Sequence, residues 1–202
     1  MTPARQLRLA ITGSIGMGKT TVAAMFEKAG VPVFDADAVV RDLQANDPDL
    51  IAAIGQRFVS TVIDGKLDRD ELSRQVIGYP DELQALEAIV HPAVQSAREH
   101  YIEQHKDAPA LLFDIPLLFE TGGEAAFDKV IVVSAPAEVQ RARVLARTGM
   151  SEAKLEAILA RQMPDVEKRK RADFVVDTGG DLSTTEAEVA RILACLGLGA
   201  GG

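Results

Sequence analysis

The sequence predicts an α/β protein built on a parallel sheet covered by helices on both faces. Three observations carry that prediction. Short apolar runs alternate with segments whose apolar residues recur at helical spacing, Gly and Pro mark the changes between them, and a glycine-rich loop joins the first run to the first helix. At 202 residues and 47% apolar content the chain can bury a full core.

The first strand is expected over Leu7 to Ile11, and the loop that leaves it reads Gly13-Ser14-Ile15-Gly16-Met17-Gly18-Lys19-Thr20-Thr21. This fits G-x-x-x-x-G-K-[ST], in which glycines let the backbone turn and come close to a phosphate while amides of the following helix point at it. In that pattern Lys19 reaches the β- and γ-phosphates of a nucleotide and the Thr20 hydroxyl ligates Mg²⁺. Val22, Met25, Phe26 and Ala29 then mark a helix that Gly30 closes.

Val31 to Phe34 suits a second strand, followed by Asp35-Ala36-Asp37 at its carboxyl end, where ligands collect in open α/β sheets. Asp35 is expected to cap the helix through Val39, Val40 and Leu43 and is also a candidate for substrate contact, and Asp37 is expected to accept a proton from an attacking hydroxyl. Residues 47 to 106 read as helical, without a strong strand signal. Asp47-Pro48 opens one helix, Asp64-Gly65 turns, Asp68 with Glu71 resembles a capping box, and Leu83, Leu86 and Val90 mark a third helix. His91-Pro92 predicts a kink or a junction between helices, with His91 packing there or touching an acceptor; Arg69 is a second candidate for acceptor contact.

Ala110 to Phe113 and Lys129 to Val133 are the third and fourth strands, and Asp114 leaves the third as a turn former or a carboxylate near a metal. Pro136 opens a helix to Arg147, Ser151 caps another that closes before Pro164, Ala172 to Asp177 is the fifth strand, and Ser183 with Glu186 caps the last helix. Gly199 to Gly202 reads as a disordered tail.

No run approaches the ~20 apolar residues of a bilayer span, and Met1 to Gln6 lacks the apolar core of a signal peptide. The cytoplasm is the expected compartment. Cys195 cannot pair within the chain and, lying in an apolar helical stripe, is expected to be buried and inert. A net charge of −8 argues against a nucleic-acid partner, and nothing points to a membrane or an obligate protein partner. The charge is uneven: between Arg141 and Arg171 nine basic residues face four acidic ones, a net +5 against −13 elsewhere, which suits a cationic flap over phosphates.

The ordered set of motifs resembles the dephospho-coenzyme A kinase family from about Leu7 to Leu196. It comprises the loop from Thr12 to Thr20, Asp35-Ala36-Asp37, Asp64 to Arg69, His91-Pro92, Pro116 to Glu120, Gln140 with Arg143 and Arg147, Gln162-Met163-Pro164, Glu167-Lys168-Arg169 and Ala172 to Asp177. The resemblance implies a P-loop NTPase-type three-layer fold with a five-stranded parallel sheet, a core of about residues 7–39, 107–142 and 173–197, a helical acceptor-binding insertion of about 40–106 and a lid of about 143–172. It implies transfer of the ATP γ-phosphoryl group to the ribose 3′-hydroxyl of dephospho-CoA, with Mg²⁺, Asp37 as base and Arg143 and Arg147 on the phosphates. Thr178-Gly179 departs from the Asn and small residue usual beside the adenine edge. Other small-acceptor kinases of this fold, for nucleoside monophosphates, shikimate or gluconate, share the loop, as would a nucleotide-dependent switch, although no guanine-reading Asn-Lys-x-Asp is present.

Overall fold

Strand β1 (Leu7–Thr12) is buried on both faces: Leu9 and Ile11 point one way and Ala10 the other, and all three are shut off from solvent. The structure, a computed structural model, describes residues 5–199. Residues 1–4, where the amino-terminal reading falls, and 200–202, which include most of the expected tail, lie outside the described residues.

β1 is the third strand of a five-stranded parallel sheet of order β2-β5-β1-β6-β7, made with β2 (Val33–Asp35), β5 (Ala110–Asp114), β6 (Lys129–Ser134) and β7 (Phe174–Asp177). Leu9 stands beside Leu112 of β5, and Ile11 beside Ile131 of β6. Leu9, Ile11, Leu112, Ile131, Val133 and Val176 form one core with α1 (Lys19–Lys28) and α9 (Leu182–Cys195), through Val22, Phe26, Val189 and Ile192. On the opposite face Ala10, Val130 and Val132 pack with Leu118 and Phe119 from the segment after β5. Helices α6 (Ala137–Leu145), α7 (Glu152–Leu159) and α8 (Asp165–Arg171) lie between β6 and β7 in sequence. The 3-10 turn Gly123–Ala126 precedes β6.

The chain divides into two units by contact, residues 1–34 with 105–202 and residues 35–104. The second unit is helical: α2 (Ala36–Asn46), α3 (Pro48–Arg57), α4 (Arg69–Val76) and α5 (Pro80–Gln104) close over Leu50, Ile54, Phe58, Leu72, Val76 and Val90. The caps follow the sequence. Asp35 accepts from the Ala38 N–H, and Asp47 and Asp68 each accept from two amides of the helix they open. The box at Asp68 is only half made, because Glu71 binds Arg74 and Gln75 while the Asp68 N–H goes to the Thr61 carbonyl.

Four expectations are corrected. Asp64-Gly65 is the turn of a two-stranded hairpin, β3 (Val62–Ile63) with β4 (Lys66–Leu67), its two residues at φ 50° and 74° as a two-residue hairpin loop requires. His91-Pro92 is no junction: α5 runs unbroken through Pro92. Its burial against the second unit's core holds it helical despite one missing N–H. Helix α9 starts at Leu182 after Asp181, so Ser183 lies inside its first turn. Cys195, at the end of that helix, is exposed, because the stripe through Val189, Ile192 and Leu193 passes it by.

Asp173 fixes the entry to β7. Its carboxylate accepts the Val130 N–H at 2.8 Å and pairs with Lys129 at 2.7 Å. Burial pushes its pKa up, but the Lys129 and Val130 hydrogen bonds outweigh burial and hold it below the ordinary carboxylate value. A depressed folded pKa gives stability that is present above the unfolded value of about 3.9 and lost as pH falls through the folded one. Asp173→Asn should therefore lower Tm at pH 7, with the gap from the parent narrowing as pH drops below about 4. An equal gap at pH 7 and pH 3 in thermal melts would show that the charge contributes nothing.

Candidate functional site

The loop from Thr12 to Lys19 is pressed from several sides, and its glycines are where the pressure is greatest. A Cβ on Gly13 would lie 2.7 Å from the Val133 carbonyl oxygen of β6, so nothing larger lets the backbone pass. Gly16 turns at φ +79°, and a Cβ there would meet Val144 of α6 at 2.5 Å. Met17 is 3% exposed: its side chain is sunk in the core, where its sulfur accepts the Ala135 N–H at 3.1 Å. Only its backbone faces the loop's own concavity. Ser14 is buried as well, while Thr20 and Thr21 stand exposed on the first turn of α1.

Lys19 opens α1, and its ammonium group binds the Asp114 carboxylate at the end of β5. The side chains are 17% and 6% exposed. Asp114 thus faces the loop's lysine from the neighbouring strand, one position on from the register partner of Ala10. The sheet register places it there, since Ile11 and Asp114 lie side by side.

A cavity of about 380 Å³ lies against the loop, between Gly16, Gly18, Thr21, Arg143, Arg147 and Leu182. Arg143, on α6, is a clamp: its guanidinium donates to the Thr178 hydroxyl at 3.0 Å and to the Thr178 carbonyl at 2.7 Å. The Thr178 hydroxyl donates to the Met17 carbonyl at 2.7 Å, and its Oγ1 lies 3.3 Å from the Ser134 carbonyl. One threonine thereby joins the loop, β6 and the segment after β7. Arg147, two residues past α6, borders the same cavity from an exposed position. Two glutamines hold the Ile15 backbone, one on each of its flanking peptides. Gln140 of α6 donates to its carbonyl at 2.7 Å, and Gln162, between α7 and α8, accepts its N–H at 3.1 Å.

The structure thus collects Gly13 to Thr21, Arg143 and Arg147 in one unit. Asp35, Asp37, Arg69 and His91 belong to the 35–104 unit. Asp35 is the α2 cap and lies 4.0 Å from Arg41. Asp37 stands exposed in the first turn of α2, Arg69 exposed at the start of α4, and His91 exposed on α5 beside Ala88, Gln95 and Glu99. Sequence reasoning did not foresee Thr178 as a seam or the two glutamines on Ile15. The glutamines stood among the family's motif residues, but no local pattern says what a glutamine will reach.

The profile of the dephospho-CoA kinase family matches residues 7–184. The chain is 50% identical over 189 residues to the dephospho-CoA kinase of Rhodopseudomonas palustris strain HaA2, covering 93% of this chain and 94% of that one. A solved structure from Thermus thermophilus is 38% identical at a TM-score of 0.83, covering 95% and 98%. The dephospho-CoA kinase of Campylobacter jejuni, 23% identical at a TM-score of 0.66 and covering 97% and 99%, shares the fold.

Removing one partner of a buried ion pair leaves the other charge uncompensated, at a cost of about 3–5 kcal/mol, less where one side chain keeps some solvent as Lys19 does. Lys19→Met should therefore be clearly less stable in urea than Lys19→Met with Asp114→Asn, which removes both charges. Equal urea midpoints for the single and double variants would show that the pair does not hold Lys19 in place.

Proposed function

The chain belongs to the dephospho-CoA kinase family, and from that premise we propose that it transfers the γ-phosphoryl group of ATP to the ribose 3′-hydroxyl of dephospho-CoA, giving coenzyme A and ADP. Transfer through a loose transition state asks the protein mainly for positioning and for positive charge around the phosphoryl group. The observation that supports this best is the turn from β1 into α1, where the helix N-terminus and Lys19 converge beside a cavity bordered by two arginines.

In this reading the loop from Gly13 to Thr21 cradles the β- and γ-phosphates with the amides left open once Gln162 has taken that of Ile15, and Lys19 places its charge on them. Arg147 meets the phosphates from the cavity rim, while Arg143 reaches them from its seat on Thr178. Leu182, 59% exposed, offers the base an apolar surface. Mg²⁺ fits the residues present, because the Thr20 hydroxyl and the Asp114 carboxylate are the hard oxygen donors it prefers. When bound it would supply positive charge to neutralise the phosphoryl oxygens. Asp37 takes the proton of the 3′-hydroxyl, and Asp35 is left to hold the helix end. Residues of about 40–106, with Arg69 and His91, receive the acceptor, and residues of about 143–172 act as a lid that excludes water. The reading also places the enzyme in the cytoplasm, with small molecules as its partners.

Turnover with dephospho-CoA, adenosine monophosphate and shikimate assayed side by side tests the reaction: product should form with dephospho-CoA alone, and comparable turnover of either other acceptor would displace the reading. For the base, Asp37→Asn should lower kcat by roughly 10²- to 10⁴-fold, with a much smaller change in acceptor KM. Asp35→Asn should be milder, because asparagine caps a helix about as well as aspartate. Steady-state kinetics on folded variants decide it: the reverse order would exchange the two roles, and no tenfold loss in either would move the base elsewhere.

A further inference from the structure

Lys168 lies in the most basic stretch of the chain, Lys168-Arg169-Lys170-Arg171, yet it is 0% exposed while the other three are on the surface. A lysine is almost never buried so fully without a partner. Its Nζ stands 2.9 Å from Glu120 Oε1. The same oxygen accepts the Met163 N–H at 2.7 Å, while Oε2 and the Lys168 Nζ are both buried with no hydrogen-bond partner among the described residues, so the lysine meets the carboxylate as an ion pair and not through an aligned hydrogen bond. Burial pushes the Glu120 carboxyl up, but Lys168 and the Met163 N–H outweigh it and hold the group below its ordinary value, so it is charged at neutral pH.

Met163 follows Gln162, whose side-chain oxygen accepts the Ile15 N–H. With Gln140 on the Ile15 carbonyl, the two peptides that flank Ile15 are each held by a side chain from another element, Ser14–Ile15 through its N–H and Ile15–Gly16 through its C=O. Neither can rotate without breaking its bond, and together they fix the direction in which the chain enters Gly16 and the loop amides beyond. Asp165, the first residue of α8, accepts the Ser134 hydroxyl at 2.7 Å and ties the same segment to the end of β6. A buried pair such as Lys168 with Glu120 is a poor source of net stability, since well-packed apolar residues of like volume often do as well. What it supplies is a carboxylate oxygen at one fixed place.

We propose that Gln162, seated by the Lys168–Glu120 pair through the Met163 amide, is a positioning residue of the phosphate loop, setting the Ser14–Ile15 peptide and thereby the aim of the amides that receive the nucleotide. The proposal rests on the reading of Gly13 to Thr21 as the ATP site. None of Gln162, Glu120 and Lys168 touches a reacting atom. The basic segment is thus joined to the loop at its carboxyl end, by a strut that charge counting along the sequence assigns to the surface.

The test uses the full chain, with ADP binding by calorimetry and steady-state kinetics as readouts. Gln162→Met keeps the volume and removes the acceptor. Misplacement of a binding group by about 1 Å can cost up to ~10²-fold, so ADP affinity and kcat should each fall roughly tenfold or more. KM for dephospho-CoA should stay within about twofold and Tm should hardly move, the split that a merely structural role would not give. Because Lys168→Met alone strands the Glu120 charge and threatens folding, two double variants carry the second arm. Glu120→Gln with Lys168→Met keeps an acceptor for the Met163 amide and should bind ADP like the parent. Glu120→Leu with Lys168→Met folds without that acceptor and should lose affinity as Gln162→Met does. ADP affinity and kcat within about twofold of the parent in Gln162→Met would overturn the proposal, as would equal affinity in the two double variants. A parent chain that binds no ADP would instead overturn the reading of the loop itself.

Discussion

A strand that turns directly into a helix leaves the first-turn amides with no partner inside either element, and the loop between β1 and α1 concentrates that deficit at one place. The rest of the core unit can be understood as what keeps those donors both open and aimed. Close approach to Val133 forces glycine at position 13, and the contact with α6 forces it at 16. Met17 is drawn down into the core by its side chain, so the loop is anchored from beneath. Lys19 cannot sit charged at the sheet's end without a counter-ion, and the β1–β5 register delivers Asp114 to it.

Electrostatics and packing divide the work. The chain is acidic overall, and its basic surplus sits between Arg141 and Arg171. Not all of that surplus faces outward. Lys168 is buried against Glu120, while Arg143 stays at the cavity with its guanidinium also bonded to Thr178, so the surface cations are fewer than the count along the chain. Charges committed internally act through geometry, and those on the rim act through the field they set up.

What was legible in the sequence was whatever is decided within a few residues. The five strands, the phosphate loop and the caps at Asp35, Asp47 and Ser151 follow from apolar period, glycine spacing and a side chain's reach to its own backbone. The hairpin at Asp64-Gly65 escaped because strands of two residues carry no period, although the dipeptide itself signalled a turn with positive φ. The junction expected at Pro92 failed because its local penalty was set against no knowledge of the second unit's core, on which α5 packs as it continues through that residue. Cys195 misled by a small angular error at a helix end, where one position separates a buried face from an exposed one. Among the site residues, Thr178, Gln140, Gln162 and Lys168 take their roles from partners between 35 and 161 positions away or from a buried pair, and no local rule reaches so far.

Thr178 shows what such a junction entails. A hydroxyl has one proton to give and two lone pairs to share, and here the proton is taken by the loop and a lone pair by Arg143. Any side chain that replaced it would have to reproduce both partners or loosen both at once. The position is therefore narrow: the asparagine usual there in the family's pattern offers a donor for the Met17 carbonyl and an acceptor for Arg143, whereas an apolar residue would free the loop's footing and leave Arg143 only the residue 178 carbonyl.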